Sequence, residues 1–168
     1  MSANPIAAPL CSTGPRIQAV HIRGVTEDDT STLIDHLCRL SDFDRFRRFF
    51  SGMSNEGIAT MVKQFDWSRM CAVGAFFENL LVSVSELGWH DSKMEPPELA
   101  VSTDEHWRKR GLSSLLTREV CKNARRIGFV QARAAWLPGN DGVASIIKGL
   151  NGTCWHDGSV FKGEFSLS

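Results

Sequence analysis

The run from Glu98 to Ser114, reading E-L-A-V-S-T-D-E-H-W-R-K-R-G-L-S-S, constrains the fold more than any other part of the chain. It joins a strand directly to a small-residue turn that opens a helix. Gly111, Ser113 and Ser114 carry little or no side chain, so main-chain N–H groups can approach an anion closely there. The first turn of the helix adds unpaired donors at the positive end of its dipole. Arg108, Lys109 and Arg110 place positive charge at the same spot. Downstream, Leu112, Leu115, Leu116, Val120, Ala124 and Ile127 recur at helical spacing, Arg118, Lys122, Arg125 and Arg126 occupy the other faces, and Gly128 is placed to end the helix. This segment fits either a basic helix start on a protein surface or a phosphate-binding turn. A P-loop is excluded because no G-x-x-x-x-G-K-[ST] occurs, and the lack of G-x-G-x-x-G after a strand weakens a dinucleotide reading.

The rest of the chain alternates strands and helices. A segment rich in small residues to about Pro15 reads as disordered, and residues 16–168 read as one domain without repeats or a linker. A strand is expected near Ile17 to Arg23. Glu27 to Arg39 reads as a helix with Leu33, Ile34, Leu37 and Cys38 on its apolar side. The aromatic, basic stretch Arg45 to Phe50 is expected to be a short helix packing its phenylalanines into the core; the alternative is a wall beside a cleft. Ser54, Glu56 and Gly57 start a helix through Val62. Cys71 to Phe77 and Leu80 to Leu87 form a hairpin turning at Glu78-Asn79. Val130 to Trp136 is a strand, Asn140 to Leu150 a short helix, and Cys154 to Val160 with Gly163 to Leu167 a closing pair. This order predicts an α/β (α+β) domain with a mixed, mostly antiparallel sheet.

Composition removes several functions. With 19 Lys and Arg against 19 Asp and Glu, the formal charge is zero, which argues against nucleic-acid or anionic-membrane partners. The start of the chain lacks the charged head and apolar core of a secretion signal, and no run is apolar enough to span a bilayer, so a cytoplasmic protein is expected. Cys11, Cys38, Cys71, Cys121 and Cys154 include no C-x-x-C pair; they read as buried small hydrophobes, with neither disulfides nor metal expected. Cys154 and His156 on one short strand are a poor basis for a nucleophile and base or for metal ligands.

Arg108-x-x-Gly111-x-Ser113 resembles the [QR]-x-x-G-x-[GA] pyrophosphate loop of the GNAT acetyl-coenzyme A-dependent N-acetyltransferases, with Ser113 in place of the usual last Gly or Ala. Around it, Glu98 opening the strand, the acidic pair Asp104 and Glu105, and Trp107 fit the same pattern. Asn140 followed by Val143, Ala144, Ile147 and Leu150 is similar to the N-x-x-[AM] helix beside coenzyme A. Leu40-Ser41-x-x-Asp44-Arg45-Phe46-Arg47-Arg48-Phe49-Phe50 resembles a segment of the bacterial protein-lysine acetyltransferase (Pat-like) branch. The resemblance covers the chain from about Arg16 onward. It implies a GNAT-like fold whose central strands, 98–103 and 130–136, splay apart around acetyl-CoA. Main chain near Val101 and Thr103 would meet pantetheine, the loop Arg108, Lys109, Arg110, Gly111, Leu112, Ser113 and Ser114 would hold pyrophosphate, and Asn140 would bind the coenzyme or cap its own helix.

Acetyl transfer to an amine needs a proton acceptor, because amines are mostly protonated at neutral pH. Glu98 is the candidate base: its spacing to Gly111 matches the family's base glutamate, and strand alternation groups it with Ala100 and Ser102. Glu86 is the second candidate. The chain has no tyrosine, the acid that protonates the departing thiolate in many of these enzymes; water, a backbone donor or a hydroxyl such as Ser145 would have to serve, or the thiolate would leave unaided. The expected acceptor is a small-molecule amine or a protein lysine, drawn by Asp91, Glu95 and Glu105; a longer acyl group is a further option. The alternative function is a catalytically silent acyl-CoA-binding regulatory or interaction module. Oligomeric state is not legible, a homodimer being one candidate.

Overall fold

The computed structural model describes residues 20–90 and 95–167. The segment before Val20, with most of its expected strand and Cys11, lies outside the described residues, as does Asp91. The order of elements is β1 (His21–Gly24), α1 (Thr30–Cys38), α2 (Asp42–Phe49), α3 (Asn55–Lys63), β2 (Met70–Phe77), β3 (Leu80–Gly88), β4 (Glu98–Thr103), α4 (Leu112–Ile127), β5 (Gln131–Trp136), α5 (Asp141–Gly149), β6 (Thr153–Asp157) and β7 (Val160–Ser166). The sheet has seven strands in the order β1-β2-β3-β4-β5-β7-β6. Every neighbouring pair is antiparallel except β4 and β5.

Local chemistry accounts for the element ends. Ser54 caps α3 by accepting from Gly57 N–H, and Ser41 caps α2 by accepting from Asp44 N–H. Glu78 and Asn79 both take positive φ, 48° and 69°, as a tight hairpin between β2 and β3 requires. The last hairpin turns earlier than its sequence suggested. Gly158, at φ +63°, makes the turn, so Val160 opens β7 instead of closing β6.

Strand alternation divides the core. On one face Val73, Leu87 and Leu99 pack under Leu112, Leu116, Val120 and Ala124 of α4, all nearly inaccessible. On the other, Ala72, Phe76 and Val84 pack under Leu33 and Leu37 of α1 and Ile58 and Val62 of α3. Leu115 and Ile127 of the predicted apolar stripe remain 37% and 42% exposed, so that stripe is narrower than its spacing suggested. Among the cysteines Cys121 is buried and its thiol is pushed up to about 11 by that burial; Cys38 and Cys71 are half-buried. Cys154 is exposed, contrary to expectation, because β6 is an edge strand whose residues are all exposed.

Two packing details give stability predictions. A Cβ on Gly74 would lie 2.5 Å from Leu81 Cδ1 and 2.9 Å from Val25 Cγ2. Gly74→Ala is therefore expected to lower stability by about 2 kcal/mol, read as a shifted urea midpoint. Near the start, Arg23 grips Asp29 through both guanidinium nitrogens at 2.7 Å, and Thr26 N–H adds a third bond at 3.0 Å. The Arg23 hydrogen bonds hold the Asp29 carboxyl below its ordinary value of 3.8, outweighing the upward push of burial. A carboxyl depressed in the folded state stabilises above its unfolded value, and that contribution fades as pH falls through the folded one. The stability difference between wild type and Asp29→Asn should thus be full at neutral pH and narrow below pH 3.8, as urea melts across a pH series would show.

Candidate active site

β4 and β5 pair at one register only, Glu98 with Arg133, where Arg133 N–H also donates to Pro97 O at 2.9 Å. Beyond that point the strands part, and the edge of β4 from Ala100 to Thr103 faces a cleft of about 650 Å³. The cleft runs between β4, the 108–114 turn, the start of α5 and the C-terminal half of α2. Strand splay is how a sheet opens room for a ligand without losing its core, since each strand keeps its other neighbour.

Of the residues singled out from the sequence, Glu98, Val101, Thr103, Arg108, Lys109, Gly111, Leu112, Ser113, Ser114 and Asn140 all line this cleft, as does Ser145. Arg110 does not; its guanidinium stands 5.3 Å from the centre of the Trp107 ring. The turn passes through left-handed backbone at Lys109 (φ 57°) and Gly111 (φ 80°). A Cβ on Gly111 would meet nothing within 4 Å, so that side of the turn is open to the cleft. Gly111 is also the N-cap of α4 and offers no side chain to its first-turn N–H groups. The helix end keeps its donors for a ligand.

Ser113, the departure from the family pattern, has a structural role. Its hydroxyl bonds Thr103 Oγ1 at 2.9 Å, and Thr103 in turn bonds Ser83 Oγ at 2.6 Å, tying the start of α4 to β3 and β4. Asn140 precedes α5, but its side chain makes no capping bond, so the capping alternative is not observed.

Several charged groups around the cleft are held by partners. Arg108 donates to Asp44 Oδ2 at 2.7 Å and to Thr103 O at 3.2 Å, joining the turn to α2. Burial pushes the Asp44 carboxyl up, but the Ser41 and Arg108 hydrogen bonds and the Arg108 and Arg47 charges together leave it below its ordinary value. Arg47 reaches across to Gly139 O at 2.7 Å. Arg48 pairs with Glu86, whose side chain is only 5% exposed. Glu86 therefore does not line the cleft, which leaves it poorly placed as a base. Glu98 is 56% exposed and lies 3.9 Å from Arg133 Nε, and Glu95 lies 3.4 Å from Arg133 Nη2.

Two features differ from the sequence reading. No residue of α2 is buried: Phe43 and Phe46 are 62% and 48% exposed, Phe50 just after it is 40% exposed, and of these phenylalanines only Phe49 packs partly against the core. Phe50, Arg47 and Arg48 instead wall the cleft, because α2 reaches over the open wedge. The other feature is His36, completely buried beneath the cleft and bonded to Ser102. It was detectable, since it stands one turn after Leu33 and next to Leu37 on the helix's apolar side, where a polar ring needs buried partners.

No family sequence model matches the chain, and no curated protein does. Solved structures share its fold at low identity. The GNAT domain of S. lividans PAT matches with a TM-score of 0.74 at 19% identity, over 88% of this chain and 90% of that one. The ribosomal-protein-alanine N-acetyltransferase of Brucella melitensis gives 0.69 at 14%, over 87% and 99%. The paiA N-acetyltransferase of Thermoplasma acidophilum, solved with coenzyme A, gives 0.62 at 18%, over 88% and 98%. The seven-stranded sheet, parted at its parallel pair β4–β5, has the GNAT fold of these structures.

Proposed function

We propose that this chain is an N-acetyltransferase that moves the acetyl group of acetyl-CoA to an amine, either a protein lysine or a small molecule. The observation that carries this reading is the β4–β5 parting, which opens directly onto the uncapped N-terminus of α4 at Gly111. A strand edge with free amide groups suits the amides of pantetheine, and a helix start suits a pyrophosphate. The coenzyme A complex of the Thermoplasma acidophilum protein, which shares the fold, supports the choice of donor.

The chain's residues then divide the work. Lys109 and the N–H groups of Gly111 to Ser114 hold the phosphates, main chain at Val101 and Thr103 aligns the thioester, and Glu98 takes the first proton from the incoming ammonium. Arg108 keeps the turn in place through Asp44 and Thr103. Arg108→Glu sets a like charge against Asp44 and phosphate, and is expected to weaken acetyl-CoA binding at least tenfold, about 1.4 kcal/mol. The founding test is calorimetric titration with acetyl-CoA, using ATP and NAD as phosphate-bearing controls. Selective micromolar binding, about −8 kcal/mol, is expected. No binding at millimolar acetyl-CoA would remove the acetyltransferase reading.

A further inference from the structure

We propose that Ser102 and His36 form a proton relay that accepts the amine's second proton as it attacks and returns it to the departing thiolate. This rests on the acetyltransferase reading and adds to it the groups that move the proton. His36, on α1, is fully buried, with Nε2 2.8 Å from Ser102 Oγ. Its Nδ1 lies 3.0 Å from Leu81 O and 3.0 Å from Asp104 Oδ1. A nitrogen facing two oxygens must carry the proton, so the neutral ring has its lone pair on Nε2 and Ser102 O–H donates to it. That is the orientation of a base acting through a hydroxyl, the logic of serine–histidine–carboxylate sites on unrelated folds.

The surroundings suit a ring that becomes charged during the reaction. The Nδ1 proton is directed at the Leu81 carbonyl, and Asp104 Oδ1 is buried with no hydrogen-bond partner, its charge facing the ring. Arg39 fixes both groups, donating to Leu81 O at 2.6 Å and to Asp104 Oδ2 at 3.0 Å. Ser102 shares its face of β4 with Ala100 and Glu98, as their pairing with Val84, Glu86 and Gly88 shows, and it lines the cleft. Two neighbouring hydroxyls are committed elsewhere: Thr103 bonds Ser83 and Ser113. No tyrosine exists to serve instead.

The step balances as follows. The amine nitrogen, already relieved of its first proton by Glu98, forms a bond to the thioester carbonyl carbon. Its N–H proton passes to Ser102 Oγ as the serine's own proton passes to His36 Nε2. When the tetrahedral intermediate collapses, the C–S bond breaks, its electron pair leaves with sulfur, and the imidazolium proton returns through Ser102 to that sulfur. An amide and a free thiol result, the relay is restored, and the exposed Glu98 gives its proton to solvent.

The test has two arms. In uniformly 15N-labelled protein, long-range 15N–1H correlations of His36 should show a protonated Nδ1 and an unprotonated Nε2; a protonated Nε2 in the neutral ring would overturn the proposal. This arm needs no acceptor. In the second arm, thiol release from acetyl-CoA with a lysine-containing peptide is followed for wild type, Ser102→Ala and His36→Gln. Both variants should lose about 10²-fold in kcat with little change in acetyl-CoA KM, and lose the wild-type solvent deuterium isotope effect on kcat. Ser102→Thr, which keeps the hydroxyl, should recover most of the rate. Wild-type kinetics in Ser102→Ala, or an acetyl group found on Ser102 by peptide mass spectrometry, would overturn the relay. Wild-type binding and turnover test the acetyltransferase reading separately, so the two failures are distinguishable. If His36→Gln does not fold, Ser102→Ala and the tautomer decide.

Discussion

Glu98→Gln is expected to lower kcat for acetyl transfer by about 10²-fold while leaving acetyl-CoA affinity nearly unchanged. Glu98 opens β4, pairs in register with Gly88 on one side and Arg133 on the other, and projects from the closed end of the wedge into the cleft. Glutamine keeps the size and most of the hydrogen bonding but cannot accept a proton. An amine that arrives as an ammonium must lose a proton before its nitrogen can attack, so removing the acceptor raises the barrier of the chemical step. In the proposed arrangement phosphate and pantetheine sit against residues 101–114, on the open part of the wedge, and should not sense the change. Steady-state rates with a lysine peptide and calorimetric Kd values measured on the same preparation decide the matter. A wild-type rate would take Glu98 out of the mechanism and leave the buried Ser102–His36 pair as the proton acceptor.

The largest stability effect is expected for Arg48→Met, a loss of about 3 kcal/mol. Glu86, on β3, has a side chain only 5% exposed, and Arg48 of α2 is its ion-pair partner. One carboxylate oxygen, Oε1, is buried without a hydrogen bond, so Glu86 depends heavily on that guanidinium. Taking the partner away leaves a carboxylate in a water-poor site, which costs more than the pair contributes when whole. The figure stays at the low end for buried pairs because Arg48 keeps 18% exposure. Arg48→Met combined with Glu86→Leu should regain most of the loss, since neither charge then remains. Urea unfolding of both variants is the measurement. A single variant within about 0.5 kcal/mol of wild type would mean that water reaches Glu86 and the pair is not dry.

Sequence alone determined the elements that depend on local rules. The strand at 98–103 and the helix from Leu112 to Gly128 were legible because period-two and period-3.6 patterns, a glycine at each end and a basic last turn are all short-range signals. The hairpin at Glu78-Asn79 was legible for the same reason. The small-residue, basic turn before α4 was visible too, since small residues next to clustered positive charge can be read without knowing what lies opposite. The helical spacing of Phe46, Phe49 and Phe50 was equally plain, yet it did not tell core from cleft wall. That depended on whether α2 reached over the wedge.

Tertiary structure decided every pairing between distant segments. Glu98 and Glu86, twelve positions apart, stood as first and second candidate bases. Folding gave Glu86 to Arg48 in a buried pair and left Glu98 in the cleft, because a helix far upstream covers only one of them. His36, Leu81, Ser102 and Asp104 come from a helix, a strand interior, the cleft strand and the turn after it, and nothing in their spacing joins them. A side chain's chemistry is set by what surrounds it within a few ångströms. Where those neighbours come from distant parts of the chain, the sequence names the residues and only the fold brings them together.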